Sequence, residues 1–186
     1  MTNDISLPDD STRPEPPVLD GLTEDEMAPA RHLAMIHDHH RRNMRALSDL
    51  IAAARHGTTD PKQINKTIGN LSMVDNYRRF GTLCGQHCQI VHGHHSIEDD
   101  YLFPELGAKA AAFRHVVARL KQEHDVVHDL LMRLVDDLNH LLGTPDQHSF
   151  KVALVTYEQL ETLLNSHFAY EERAIGPALG RYRIGV

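Results

Sequence analysis

The stretch His94-His95-Ser96-Ile97-Glu98-Asp99-Asp100-Tyr101-Leu102-Phe103-Pro104 decides how the chain reads. His94 and Glu98 stand four residues apart, so a helix carries them on one face. A neutral imidazole and a carboxylate presented together are two ready metal ligands. Pro104 lacks an N–H and clashes with the preceding turn, which predicts the end of that helix. Other segments must bring matching ligands if the pair is a site rather than a solvated surface pair.

Working outward, this second predicted helix runs back along Val91, His87, Cys84, Phe80 or Gly81, Tyr77 and Val74 to a start near Leu71, after Gly69-Asn70. Before it, Asp60-Pro61 reads as a cap and first helical position. A first helix is predicted from about Ala28 to Arg55. There Leu33, Ile36, His40, Met44, Leu47 and Ile51 recur at three- and four-residue steps, with His37 at the edge of the stripe. A third runs from about Ala110 to Leu142, with Phe113, Leu120, His124, Leu131, Leu134 and Leu138 inward and Gly143 as the stop. Thr144-Pro145 opens a fourth as cap and first position. It carries Phe150, Leu154, Tyr157, Leu160, Leu164, His167, Glu171 and Ile175, and fades at Gly176-Pro177 or slightly beyond. Nothing alternates as a strand does. The expected fold is all-α, an up-down-up-down four-helix bundle over residues 28–182. Residues 1–27, with Pro14, Pro16 and Pro17 close together, are too polar to bury a core and are expected to be disordered.

Composition narrows the function. The 186 residues suffice for one domain with a sizeable core. Nineteen basic against 26 acidic side chains leave a formal charge of −7, which argues against a nonspecific grip on nucleic acid or an anionic membrane. No apolar run reaches the roughly 20 residues a bilayer needs, and no leader pattern opens the chain. Two cysteines, Cys84 and Cys88, make no disulfide framework, so a reducing cytoplasm is the expected compartment. They read as small buried thiols. A monomer or small homo-oligomer is expected.

Fifteen histidines are the unusual feature. Those on apolar stripes fall on every predicted helix: His37 or His40 on the first, with His37 favoured; His94 with Glu98 on the second; His124 and His128 on the third; His167 with Glu171 on the fourth. A single His-x-x-x-Glu pair is usually a solvated i,i+4 pair. Four sets on inward faces are different, because buried carboxylates need a compensating charge and a metal ion supplies it. The mixture of imidazoles and carboxylates favours iron, manganese or zinc over calcium or magnesium. Two carboxylates able to bridge suggest a dinuclear centre. Five imidazoles and two bridging carboxylates fill nine of the roughly twelve positions around two six-coordinate ions, leaving room for a small ligand. His95 points about 100° away from His94 and reads as an outer or surface group. Asp99, Asp100 and Glu172 read as solvated or as partners that orient ligating histidines.

The order His37, then His94-His95-Ser96-Ile97-Glu98-Asp99 with Leu102-Phe103-Pro104, then Glu123-His124, then His167-Phe168-Ala169-Tyr170-Glu171-Glu172 resembles the hemerythrin-like HHE cation-binding proteins of bacteria, over about Pro29 to Leu179. That resemblance implies a non-haem di-iron centre: two iron ions bridged by an oxide or hydroxide, with other divalent metals as substitutes. His37 and His94 would be terminal ligands on one iron, His124, His128 and His167 would serve the other, and Glu98 and Glu171 would bridge. The implied function is binding or sensing of a small diatomic ligand, O2 or NO, or of iron itself. The alternative is an enzyme that decomposes peroxide or reduces nitric oxide, for which Tyr77, Tyr157 and His87 are candidate proton sources. The fourth-helix carboxylate is a glutamate at four residues, where invertebrate hemerythrins carry an aspartate at five. That difference shifts the expectation from oxygen carriage toward redox or sensing chemistry.

Overall fold

The computed structural model describes the backbone of residues 5–56 and 73–185 and the side chains within 5–49 and 81–185. Helix α1 spans Ala28–His56 and α2 spans Met73–Ile97. A π-helical turn over Glu98–Leu102 follows α2 directly and leads into a short α3, Phe103–Lys109. A 3-10 turn, Ala111–Phe113, enters α4, Arg114–Gly143, and α5 spans Gln147–Arg181. Helix α1 packs beside α2 and α5, and α4 likewise packs beside α2 and α5. The four long helices thus close a square, which is the expected up-down-up-down bundle. Among the described residues, no helix is long and apolar enough to cross a membrane. Asp60, Pro61, Gly69 and Asn70 lie outside the described residues, as do the side chains of Ile51, Val74 and Tyr77.

Two local expectations need correcting. Pro104 does not stop the rod: it sits in the first turn of α3, where its missing N–H is no loss because the preceding wide turn has already broken the regular ladder. The fourth long helix is capped by Asp146 rather than Thr144. The Asp146 carboxylate accepts from the Ser149 N–H at 2.8 Å, satisfying a donor that Thr144 is too far back to reach. Pro177 lies within α5, which ends at Arg181.

The core is two apolar clusters with a polar layer between them. One holds Met44, Leu47, Cys84, Cys88, Val91, Val127, Leu131 and Leu164. The other holds Leu33, Leu102, Phe103, Leu106, Val116, Leu120, Ala174 and Ile175. On each long helix the change from one cluster to the other falls at the same level, and there the buried residues are His37 and His40, His95 and Glu98, Glu123 and His124, and His167 and Glu171. The sequence stripes therefore meet at one depth.

The N-terminal segment departs from the expected disorder. From Ile5 onward it lies against the bundle. Asp9 caps a 3-10 turn, Asp10–Thr12. The Tyr170 hydroxyl donates to the Pro14 carbonyl at 2.8 Å, Arg173 pairs with Glu15 at 2.9 Å, and Arg181 donates to the Asp20 carbonyl at 2.8 Å. Thr23 and Glu26 exchange side-chain-to-backbone bonds of 2.8 and 3.2 Å ahead of α1, a capping box. At Gly180 the helix meets this segment's backbone so closely that a Cβ there would overlap the Glu26 carbonyl group. Composition predicts disorder because the segment has few apolar residues. Polar anchors along α4 and α5 hold it instead.

Candidate metal centre

Helix α1 delivers His37 to the polar layer, α2 delivers His94 and His95, the π-turn delivers Glu98, α4 delivers His124, and α5 delivers His167 and Glu171. Their donor atoms form two groups, His37 with His94, Glu98 and Glu171, and His95 with His124 and His167, each within 4.8 Å. In the first group His37 Nε2 lies 3.0 Å from His94 Nε2 and 3.4 Å from Glu171 Oε2, and His94 Nε2 lies 3.3 Å from Glu98 Oε1. In the second, His124 Nε2 lies 3.1 Å from His167 Nε2. The carboxylates span both: Glu98 Oε2 is 3.7 Å from His124 Nε2, and Glu171 Oε2 is 3.5 Å from His167 Nε2. Neighbouring donors on one ion with bonds of about 2.1 Å sit about 3.0 Å apart at a right angle and about 3.4 Å apart at the tetrahedral angle. The observed spacings match donors that share a cation.

Each group is oriented from outside. His37 Nδ1 donates to Glu172 at 2.9 Å, and Arg41 holds that carboxylate at 2.8 Å. His167 Nδ1 donates to Glu123 at 3.0 Å. His124 Nδ1 lies 3.2 Å from Asp99. Glu172 and Glu123 place the ring protons of His37 and His167 on Nδ1 and leave their Nε2 lone pairs facing inward, the tautomer a metal needs.

Electrostatics test the fit. Glu98 and Glu171 are buried, and none of their four oxygens has a hydrogen-bond partner among the described residues; His95 Nε2 is likewise unpartnered there. Such groups are costly to bury unless something compensates them. Burial and the facing Glu171 push Glu98 well above the usual carboxylate range, and burial raises Glu171 to about 8. Burial and the neighbouring imidazoles lower His94 to about 2. Burial lowers His167 to about 4, against the opposing pull of Glu123. Burial also depresses His37 and His95. Neutral imidazoles are already in their ligating form, and a cation offsets the carboxylate charge. The residues present fit a metal ion.

Six of the seven residues singled out from sequence converge: His37, His94, Glu98, His124, His167 and Glu171. His128 does not. It lies exposed one turn beyond His124, its ring 5.2 Å from that of His92, at the mouth of a cavity of ≈ 290 Å³ that His95, Asp99 and His124 also line. His95 stands inside instead, 5% exposed and stacked on His124 at 3.9 Å. The expectation that His95 points away from the site fails because there are two groups of donors: His94 faces one and His95 the other. His40, the alternative to His37, is also buried and stacks on His94 at 5.1 Å, but its donors lie outside both groups. His87 is buried, both ring nitrogens without a partner among the described residues, its ring 5.9 Å from that of His40. Tyr157 donates to the Met44 carbonyl within the apolar cluster, away from the site. Cys84 and Cys88 are free thiols in that same cluster. Asp99 and Glu172 meet ligand histidines, while Asp100 is exposed.

Sequence reading missed Glu123 as an orienting group. Its signal was available: Leu120, Glu123 and Val127 recur at three- and four-residue steps on the buried stripe of α4. Arg13 had no comparable signal, since its partner is 110 residues away.

No curated protein and no solved structure matches the chain. A family model does, the hemerythrin HHE cation-binding domain, over residues 31–179. That match reaches into all four long helices and takes in every residue of both donor groups, and the chain belongs to the hemerythrin HHE cation-binding family.

Proposed function

We propose that the protein holds two iron ions at these groups and through them binds or senses a small diatomic ligand, O2 or NO, or iron itself. The observation that carries this reading is the pair of carboxylates reaching from one donor group to the other, Glu98 through its two oxygens and Glu171 through Oε2. His37 and His94 would hold one ion, His95, His124 and His167 the other, and Glu98 and Glu171 would be shared. This keeps five imidazoles and two carboxylates, with His95 in the place expected of His128. The mixed donor set supports iron over calcium or magnesium.

Bound iron supplies open coordination positions and redox chemistry. The chain's own residues do the rest. Glu172 and Glu123 fix the tautomers and rings of His37 and His167, and Asp99 lies beside His124. Phe168 stacks on His37 at 4.3 Å and Phe103 on His124 at 5.3 Å, which keeps bulk water from those ring faces. The cavity beside His95 and His124 supports passage of a small ligand from solvent.

The test is anaerobic loading with ferrous iron, then exposure to O2, NO or peroxide in separate samples. Binding predicts an absorption change that reverses when O2 or NO is removed. Continued consumption of peroxide or NO, lost in Glu98→Ala, would replace binding with the enzymatic alternative.

A further inference from the structure

Arg13 belongs to the segment that composition marks as disordered, yet its side chain is 9% exposed. Its Nε donates to Glu123 Oε1 at 2.8 Å and its Nη2 to Glu123 Oε2 at 3.0 Å, a two-pronged grip on one carboxylate. Glu123 Oε2 is the same oxygen that accepts from His167 Nδ1 at 3.0 Å. The guanidinium is itself fixed from three sides. Its Nη1 donates to Ser166 Oγ at 2.8 Å, Asp10 pairs with it at 3.2 Å, and it stacks over the Tyr170 ring at 4.8 Å. Arg119 holds Glu123 Oε1 from the other side at 2.7 Å and ties back to the segment through Thr12 Oγ1 and the Asp9 carbonyl at 2.8 and 2.7 Å. A file of contacts therefore runs from the N-terminal segment through Arg13 and Glu123 to His167, whose Nε2 faces the donor group.

We infer that Arg13 is a positioning residue of the metal centre: by gripping both oxygens of Glu123 it fixes the angle at which His167 presents Nε2, so that the N-terminal segment is a working part of the site. The inference rests on the metal-binding reading above. A carboxylate held by one arginine can rotate about its last bond. Gripped by two arginines and a ring N–H, it has one orientation. Lysine in place of Arg13 keeps a charge but offers no fork. Loss of a group that orients a ligating histidine weakens metal affinity by roughly 10- to 100-fold. Arg13 acts one residue further out, so an effect of about tenfold, at the lower end of that range, is expected.

The experiment uses the full chain loaded with ferrous iron. Release to an excess of ferrous chelator is timed, and the Mössbauer spectrum of the bound iron is recorded, for wild type, Arg13→Gln, Arg13→Lys and Arg173→Ala. Arg173→Ala removes the Glu15 anchor of the same segment without touching Glu123. The expected result is that Arg13→Gln releases one of its two irons about tenfold faster with an altered spectrum for that iron. Arg13→Lys falls between it and wild type, and Arg173→Ala matches wild type in both readouts. If Arg13→Gln does not fold, Arg13→Lys decides on the same two readouts. Release and spectra unchanged in the Arg13 variants, beside a loaded wild type, overturn the inference and leave the metal reading standing. Equal acceleration in Arg173→Ala also overturns it, because the segment would then act only by docking. A wild type that takes up no iron overturns both.

Discussion

The metal-free protein is expected to lose stability sharply in mild acid. His87, lowered to about 4 by burial, His94, lowered to about 2, and His167, lowered to about 4, all ordinarily titrate near 6.5. Their folded values lie below their unfolded ones. The unfolded chain therefore takes up protons first as pH falls, and each group's contribution is lost below about pH 6.5. A proton bound by the unfolded chain alone costs the fold about 1.4 kcal/mol for every pH unit of acidification. Each of the three groups then costs about 2 kcal/mol between pH 6.5 and 4.5, or about 6 together. Glu171, raised to about 8, works the other way: it stays protonated in the fold while the unfolded carboxylate ionises near 4.5. Acid thus returns about 2 kcal/mol over the same interval. For these four groups the net loss is about 4 kcal/mol, comparable with the whole stability of a marginal domain at about 5 kcal/mol; burial of His40, lowered to about 4, adds to the loss, and burial of Glu98, raised well above the usual carboxylate range, opposes it. Above pH 7 the histidine contribution has levelled off while Glu171 goes on costing stability until the pH passes 8, so the maximum lies near neutrality. Urea unfolding of chelator-treated protein, followed by circular dichroism from pH 4.5 to 8, measures this directly. A stability that changes by less than about 1 kcal/mol between pH 6.5 and 4.5 would refute the account of a buried, neutral imidazole layer.

Other outcomes follow from the packing and the site. Gly180→Ala forces a Cβ into the Glu26 backbone and is expected to cost about 2 kcal/mol or more; an unchanged melting temperature would contradict that close approach. His95→Ala is expected to lose metal from one donor group, whereas His128→Ala keeps the wild-type metal content. Metal analysis of the two variants checks this, and equal losses would restore His128 to the site.

Much of the fold was legible because the stripes are long. Leu33 to Leu47 and Phe113 to Leu138 each keep a three- and four-residue rhythm that only an amphipathic helix satisfies. The paired His94–Glu98 and His167–Glu171 spacings carried most of the site for the same reason. What was not legible depended on geometry between helices. One helix face serving one target excludes His95, whereas two adjoining donor groups make two neighbouring faces useful. His128 shares a face with His124, but being one turn further along carries it past the polar layer to solvent. The reach of Arg13 to Glu123 joins residues 110 apart, and no local pattern encodes such a contact.

The central claim is that the polar layer holds metal through Glu98 and Glu171. Its most direct test is elemental analysis of the protein purified from iron-supplemented cells, with the Glu98→Ala, Glu171→Ala double variant beside it. The account predicts about two ions per chain in the wild type, consistent with mixed imidazole and carboxylate donors filling two six-coordinate sites, and loss of both in the variant. A wild type purified without metal, or a variant that retains the full complement, would contradict it.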